Sequence, residues 1–255
     1  MSQPNLARHY DIKYAADATD EAPTPLSLDQ PLPTDRFSAA VAELPRRLPK
    51  DADILELGAG NGLMAQSLLA GGVSIGSYTL GDLSAARMAG LRRNFTDSRF
   101  RFVQTDAEHP SATVQGPFDA VLMLALIEHL VDPLRAMIDI RSLLKPGGFV
   151  YLDTPNLAKW TRRAKLALGY FPSTASTNEG LTTYDGREVD LYDEGHLHYF
   201  TYRSLELMLT RRCGFSRVVR TGYYMGPRLI DARVGTRLAR WRPTMFSEVA
   251  CFAYA

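Results

Sequence analysis

From residue 52 onwards, short apolar runs alternate with longer segments whose apolar residues recur at helical spacing. Short runs of this kind, bounded by polar and glycine-rich turns, predict buried strands. Their regular alternation with amphipathic helices is typical of a parallel sheet covered on both faces. The predicted strands are 52–57, 73–80, 100–104, 118–124 and 149–153. The predicted helices between them are 63–69, 84–94 and 133–144.

This alternation stops at Pro155, and residues 156–200 contain no clear strand. Within that segment, residues 179–194 hold six acidic residues and one arginine. Long irregular segments in compact domains often cover binding sites, so we expect an insertion over the strand ends, where such sheets bind ligands. Further on, the pattern predicts a helix at 202–212 and strands at 215–221 and 246–254.

A proline-rich stretch, 17–35, predicts an extended connector before a helix within 35–48. The whole chain is therefore predicted to be one domain, with four parts: an N-terminal arm and helix (1–50), a core (51–155), the insertion (156–200) and a C-terminal part of the sheet (201–255).

Composition narrows the class of protein without changing this picture. The 255 residues are 45% hydrophobic and 22% charged, with a net charge of +1, which excludes a disordered chain and gives no overall attraction to nucleic acid or an acidic membrane. The longest apolar run has eight residues, whereas a membrane span needs about 20. Residues 1–5 lack a secretory pattern, and Cys213 and Cys251 are predicted to be small core residues, so we expect a cytoplasmic protein.

One charged stretch stands apart from this balance. Residues 211–242 contain nine arginines and one acid, Asp231. Three interpretations of these arginines remain open: they could bind nucleic acid, a lipid surface, or a phosphorylated or nucleotide-linked acceptor. The interpretation that we favour is a solvated helix face that balances the acidic insertion.

The segment 54–62, Ile-Leu-Glu-Leu-Gly-Ala-Gly-Asn-Gly, carries the strongest functional signal. Glycines permit a tight turn and a close approach of ligand to backbone, and the following helix start offers N–H groups. The dinucleotide pattern G-x-G-x-x-G would need glycine where Leu63 stands, and Glu56 would repel a phosphate. A nicotinamide-dependent oxidoreductase is therefore disfavoured, whereas an acid here suits a ligand with an amino group or a cation.

Two further acids follow the next two strands. Asp82 lies 20 residues after Gly62 at the end of the second strand, where a carboxylate can accept hydrogen bonds from ribose hydroxyls. Asp106 ends the third strand, where it can meet an adenine amino group.

Together these motifs resemble the class I S-adenosylmethionine-dependent methyltransferases, particularly the branch of ubiquinone-pathway-like and small-molecule O-methyltransferases. The matching segments are 56–62, 81–84, 105–108, 118–121, 127–130, 144–148 and 154–156. The resemblance implies a Rossmann-like, doubly wound α/β fold of seven strands in the order 3-2-1-4-5-7-6, the last antiparallel, with an insertion after the fifth strand. It also implies S-adenosylmethionine as cofactor and S-adenosylhomocysteine as product.

The same resemblance implies roles for individual residues. Gly58 and Gly60 would approach the methionyl part of the cofactor, Asp82 would bind the ribose and Leu83 would pack on the adenine. The full set implied to bind the cofactor is Glu56, Gly58, Ala59, Gly60, Asn61, Asp82, Leu83, Asp106, Ala107 and Leu124.

Methyl transfer to oxygen requires removal of a proton, by a general base or through a metal ion. Two histidines are candidate bases: His196, which we rank first, and His129, which follows the fourth strand. Each has an alternative structural role in its loop. The related ubiquinone enzymes hold a metal with Glu-x-x-Glu-His, and because Ala125 replaces the first glutamate we do not expect a metal here.

Candidate acceptor contacts are Tyr14 in the N-terminal arm, Trp160 in the insertion, and His198; ordinary packing is the alternative for each. We expect methylation of a hydroxyl on a small molecule such as a sugar, a glycan, a phenol or a secondary metabolite. No Asn/Asp-Pro-Pro-Tyr/Phe motif follows the fourth strand, which disfavours adenine and glutamine amides. An N-methyltransferase acting on an amine and a non-catalytic cofactor-binding module remain alternatives, and the oligomeric state is open.

Overall fold

The computed structural model describes residues 22–174, 196–225 and 230–255. The strands are β1 (Ala52–Leu57), β2 (Ile75–Asp82), β3 (Phe100–Gln104), β4 (Phe118–Leu124), β5 (Leu144–Thr154), β6 (Arg217–Thr221) and β7 (Val249–Tyr254). The helices are α1 (Arg36–Glu43), α2 (Leu63–Ala70), α3 (Ala85–Asn94), α4 (Pro133–Ser142), α5 (Trp160–Ala167), α6 (Tyr202–Arg211), α7 (Ala232–Trp241) and α8 (Pro243–Phe246).

All seven strands form one sheet in the order β3-β2-β1-β4-β5-β7-β6, which confirms the predicted topology. The first five strands pair in parallel, and β7 runs antiparallel to both β5 and β6. The carboxyl ends of β1 to β5 therefore meet at one edge, and β7 begins at that edge because Val249 pairs with Thr154.

Strand side chains alternate between two hydrophobic clusters, one on each face of the sheet. On β4, Ala120 and Leu122 join the cluster beside α1, α2 and α3, while Val121 and Met123 join the cluster beside α4 and α6. Covering both faces in this way explains why the strands appear in the sequence as continuous apolar runs.

Polar residues at helix starts set the helix bounds. Asp35 and Thr201 each form a capping box, with Ser38 and Ser204 respectively, and Ser84 caps α3. Each side-chain oxygen satisfies a backbone N–H group that the helix itself leaves without an acceptor.

Several predicted bounds were wrong by a few residues. Strand β2 is displaced two residues from 73–80, and β5 begins at Leu144 because the Gly147–Gly148 turn is accommodated as a bulge within the strand. The strand predicted at 246–254 begins only at Val249, since Pro243 starts the short helix α8.

The pattern also left three helices, in two segments, without a prediction. Helix α5 follows β5, and α7 and α8 lie between β6 and β7. Asn156 connects these two additions, because its Nδ2 donates to the carbonyls of Thr244 and Ser247, at 3.2 and 2.9 Å. Both additions therefore lie at the carboxyl edge, beyond β5. Among the described residues, no helix is both long and apolar enough to span a membrane.

Candidate active site

The glycine loop after β1 has a backbone conformation that suits glycine. Gly58, Gly60 and Gly62 have φ values of 69°, 56° and 81°, in the left-handed region. An added Cβ at Gly62 would lie 2.5 Å from the Phe95 ring, so this glycine lets α3 pack closely on the loop. The N–H group of Gly60 donates to Oδ2 of Asp82 at 3.1 Å, which connects the loop to the end of β2.

A cavity of about 250 Å³ opens beside this loop at the carboxyl edge of β1 to β4. It is lined by Leu57, Gly58, Gly60, Asp82, Leu83, Arg87, Thr105, Asp106, Ala107, Glu108, Leu124, Ala125, Leu126, His129 and Leu130. Seven of the residues expected to bind the cofactor are in that lining: Gly58, Gly60, Asp82, Leu83, Asp106, Ala107 and Leu124.

Three of the expected residues are outside the lining. Glu56 is buried beneath the loop and accepts a hydrogen bond from the Tyr78 hydroxyl at 2.7 Å; burial raises the pKa of its carboxyl to about 8. Ala59 is buried and donates its N–H to the Gly81 carbonyl, and the Asn61 side chain accepts from the N–H of Leu63. These residues support the loop from outside the cavity.

The residues present fit an adenosyl sulfonium. An added Cβ at Gly60 would meet no protein atom within 4 Å, so the backbone borders open space that a ligand can approach. Asp82 lines the same cavity, and the N–H groups of Ser84 and Gly60 both donate to its carboxylate, which fixes the orientation of this acid. Leu83, Ala107 and Leu126 supply apolar walls for a base and a methionyl chain.

The loop after β4 forms the wall opposite the glycines. Ala125 has φ 47°, a strained conformation for a residue other than glycine, and its N–H donates to Oδ1 of Asp153 at 3.1 Å. Glu108 fastens the end of this loop, since its carboxylate accepts from the N–H groups of Val131 and Asp132.

The two candidate bases come together at this wall. The rings of His129 and His196 lie with centroids 4.8 Å apart in an edge-to-face arrangement. The N–H groups of Leu197 and His198 donate to the Glu128 carbonyl at 2.8 and 3.1 Å, which holds the second segment against the loop. Nδ1 of His196 is hydrogen-bonded to Oγ1 of Thr174 at 2.7 Å, so the ring orientation is set.

Glu128 is buried beside this pair, and neither of its carboxyl oxygens has a hydrogen-bond partner among the described residues. Burial raises the pKa of Glu128 to about 8, and the neighbouring Asp153 adds to the rise. Ligand atoms of Glu128, His129 and His196 lie within 4.8 Å of one another, a donor set that could hold a metal ion. The expectation of a metal-free site stays a prediction.

Asp153 is the centre of a second buried group. Besides Ala125, it accepts a hydrogen bond from the Tyr223 hydroxyl at 3.2 Å, and Nε of Arg36 lies 3.8 Å from its Oδ2. Burial raises the pKa of Asp153, although the Arg36 cation opposes that rise.

Farther along the edge, Glu248 forms a fully buried ion cluster. Its carboxylate lies 2.5 Å from Nζ of Lys159 and 2.8 Å from Nη1 of Arg162, and it also accepts from the N–H of Asn156 at 2.6 Å. The two cations hold the pKa of Glu248 down, to about 2, against the effect of burial. This cluster joins α5 to the start of β7.

The predicted acceptor contacts have different outcomes. The Nε2 atom of His198 is hydrogen-bonded to the Val131 carbonyl at 3.2 Å, as expected for a loop anchor. Trp160 begins α5, and its indole N–H is buried without an acceptor among the described residues. Tyr14 lies outside the described residues, so its assignment stays a prediction.

Sequence reasoning missed the polar groups that gather at and just beyond the carboxyl end of β5. Arg36, Asp153, Tyr223 and Glu248 come from four distant segments, and no local motif connects them. For Asp153 a signal was available, because it is a charged residue at the end of an otherwise apolar strand.

The fold and this cavity together define a class I S-adenosylmethionine-dependent methyltransferase. A family model described as a methyltransferase domain matches residues 33–219, and the chain belongs to that family.

Curated relatives include ubiquinone biosynthesis O-methyltransferases. The enzyme of Vibrio parahaemolyticus is 30% identical over 105 residues, 40% of this chain and 43% of the relative; the enzyme of Pseudomonas aeruginosa is 30% identical over 103 residues, 40% and 44% respectively. The matched segment spans less than half the length of these relatives.

Solved structures share the fold at low sequence identity. A chain of the Haloferax volcanii complex between the Trm112 methyltransferase activator and a methyltransferase has a TM-score of 0.60 at 16% identity, covering 95% of this chain and 96% of that one. An S-adenosylmethionine-dependent methyltransferase of Mesorhizobium loti has a TM-score of 0.56 at 18% identity, covering 85% and 98%.

Proposed function

We propose that this protein transfers the methyl group of S-adenosylmethionine to a hydroxyl oxygen of a small molecule, with the histidine pair as general base. The observation that carries the proposal is the convergence of His129 and His196, from separate segments, at the wall of the cofactor cavity. The ubiquinone O-methyltransferases named above, which are similar to about 40% of this chain, favour oxygen as the acceptor atom.

When bound, the sulfonium cofactor supplies an electrophilic methyl carbon. One imidazole of the pair would take the proton of the acceptor hydroxyl as its oxygen is methylated, and S-adenosylhomocysteine would be released as the second product. Because Thr174 occupies Nδ1 of His196, this ring would exchange a proton at Nε2. The loop from β4 aligns the acceptor and excludes water, and alignment supplies much of the rate of such displacements.

Glu128 supports the same role for the histidines. A buried carboxyl beside the pair would stabilise an imidazolium that forms as the acceptor loses its proton, if the carboxyl then ionises. The acceptor itself could be a sugar, a glycan, a phenol or a secondary metabolite, and the protein would act in the cytoplasm.

Single His129→Ala and His196→Ala variants test the base. We expect a loss of methyl transfer of roughly 10²- to 10⁴-fold in at least one variant, with cofactor affinity within a few-fold of wild type. Transfer is measured by product mass against a panel of hydroxyl and amine acceptors, which also separates O- from N-methylation. His109→Ala, on a turn outside the cavity lining, is the matched control.

Full rates in both variants would overturn the base assignment. The same assays in the presence of a chelator test the metal question, because a metal-dependent site held by Glu128, His129 and His196 would lose activity and regain it on addition of Zn²⁺ or another divalent ion that binds imidazole.

A further inference from the structure

Helix α7 presents an unusual surface for a protein whose net charge is only +1. Its exposed residues are Arg233, Val234, Arg237, Arg240 and Trp241. At about 100° per residue, these five fall within an arc of roughly 120° on one side of the helix. The opposite side is buried, with Gly235, Thr236 and Ala239 in contact with the protein.

The exposed arc has two stripes. Arg233, Arg237 and Arg240 form a basic stripe, and Val234 with Trp241 forms an apolar stripe next to it. Val234 is 48% exposed and Trp241 is 69% exposed. Arg242, which follows the helix, places its guanidinium 5.0 Å from the Trp241 ring.

Acids within the described residues leave most of this basic charge uncompensated. Among the described residues, no acid forms an ion pair with the arginines at positions 233, 237, 240 and 242. Asp231 caps the backbone of α7. Only Arg240 lines a groove together with acidic side chains, those of Asp29 and Glu43. The remaining positive charge is complementary to an anionic surface.

The buried side of α7 fixes the direction in which the arc faces. A Cβ added at Gly235 would lie 2.3 Å from the Tyr224 ring, so helix and residue are in close contact. The adjacent residue, Tyr223, is hydrogen-bonded to Asp153 in the site. The helix is therefore packed firmly beside the carboxyl edge where the cavity lies.

We propose that the exposed face of α7 binds an anionic lipid membrane, with the arginines at the phosphate headgroups and the indole of Trp241 at the boundary of the acyl region. Arginines flanking an exposed indole and an aliphatic side chain are typical of surface-bound helices. A nucleic acid would use the arginines and could stack on one indole, but it would gain nothing from the exposed valine. Membrane binding would orient the carboxyl edge of the sheet relative to the lipid surface.

The test is co-sedimentation of the full chain with vesicles of phosphatidylcholine alone and of phosphatidylcholine mixed with phosphatidylglycerol. We expect binding to the anionic vesicles only, weakened by added salt. Arg233→Gln with Arg237→Gln should weaken it roughly 25-fold, since each arginine contributes about fivefold near such a surface. Trp241→Phe should abolish a blue shift of indole fluorescence on binding, because the other tryptophan, Trp160, is not on this face.

The matched control, Arg211→Gln with Arg212→Gln, removes the same charge from exposed positions at the end of α6 and should bind like the wild type. The double change of Arg233 and Arg237 to lysine should retain binding, and circular dichroism verifies folding of each variant. Equal binding to neutral vesicles, or equal losses in the two glutamine variants, would overturn the proposal. So would tighter binding of an RNA or DNA duplex than of anionic vesicles at the same phosphate concentration.

Discussion

The two sides of the site are held in place by different kinds of contact. The glycine side, at the ends of β1 to β3, uses backbone groups and small side chains, and its main tie joins Gly60 to Asp82, 22 residues apart. The histidine side, at the ends of β4 and β5, uses buried charged side chains, and its ties span up to the 92 residues between Asn156 and Glu248. The side expected to bind the cofactor is formed by residues that are close in the sequence. The histidine side forms only after distant segments of the chain have packed together.

The largest expected effect tests whether the histidine side contributes to stability through its buried charges. Glu248→Gln removes the buried carboxylate that Lys159 and Arg162 both contact, which should lower the free energy of unfolding by about 3–5 kcal/mol. Urea denaturation measures this loss. Glu206→Gln, which breaks the exposed pair with Arg220, should lower it by only about 0–1 kcal/mol. Equal losses of unfolding free energy in the two variants would show that the buried cluster stabilises the protein no more than the exposed pair does.

An intermediate effect tests the glycine side. Asp82→Asn removes the charge that orients the glycine loop and that we propose to face the ribose, and should weaken cofactor binding by about 1.5–3 kcal/mol, roughly tenfold to hundredfold. Calorimetric titration with S-adenosylhomocysteine provides the measurement. Asp97→Asn, at an exposed turn before β3, should bind with wild-type affinity; unchanged affinity in both variants would contradict the ribose assignment.

The smallest effect for each step of the experiment, about 1 kcal/mol per pH unit, is the dependence of stability on pH, and it applies to both sides. The folded-state pKa of Glu128 is raised to about 8, so its proton stays bound after the unfolded chain has lost it. Its contribution to stability is therefore complete below about pH 4.5 and declines as the pH rises toward 8, on the order of 1 kcal/mol per pH unit. Glu128→Gln should flatten the decline in unfolding free energy between pH 5 and 8.

Glu56→Gln is the counterpart on the glycine side, since burial raises the pKa of Glu56 to about 8 as well. We expect a similar flattening of the decline for this variant. A Glu128→Gln variant with the wild-type slope would show that Glu128 ionises normally in the folded protein.

The contrast between the two sides also explains which parts of the fold and of the site can be predicted from the sequence. The strands and the residues of the glycine side follow local patterns, because a glycine turn or a strand-end acid has its structural consequence within a few positions. The strand order, by contrast, was implied by the resemblance to the class I methyltransferases. The N–H of Gly60 meets Asp82 as soon as β1 and β2 pair. Glu56 was the exception: its position in the motif suggested a ligand contact, but its carboxyl is engaged by Tyr78 on the neighbouring strand.

On the histidine side, the two histidines were predictable as candidates but their contact was not. Nothing near His129 in the chain indicates His196, and the hydrogen bonds that bring them together run through the Glu128 carbonyl. The same holds for Arg36, which precedes β1 and meets Asp153 at the end of β5. Side-chain pairs of this kind exist only after the sheet has assembled.

Asn156 and Phe200 form a bridge, and the N–H of Leu157 donates to the Phe200 carbonyl at 2.8 Å. The two ends of the segment after β5 are thus fastened to each other independently of what lies between them. Doubling the length of a closed loop adds only about 0.6 kcal/mol of entropic penalty. We therefore expect that the sequence between Thr174 and His196 can be exchanged to change the range of acceptors, provided that Lys159, Arg162 and His196 are kept.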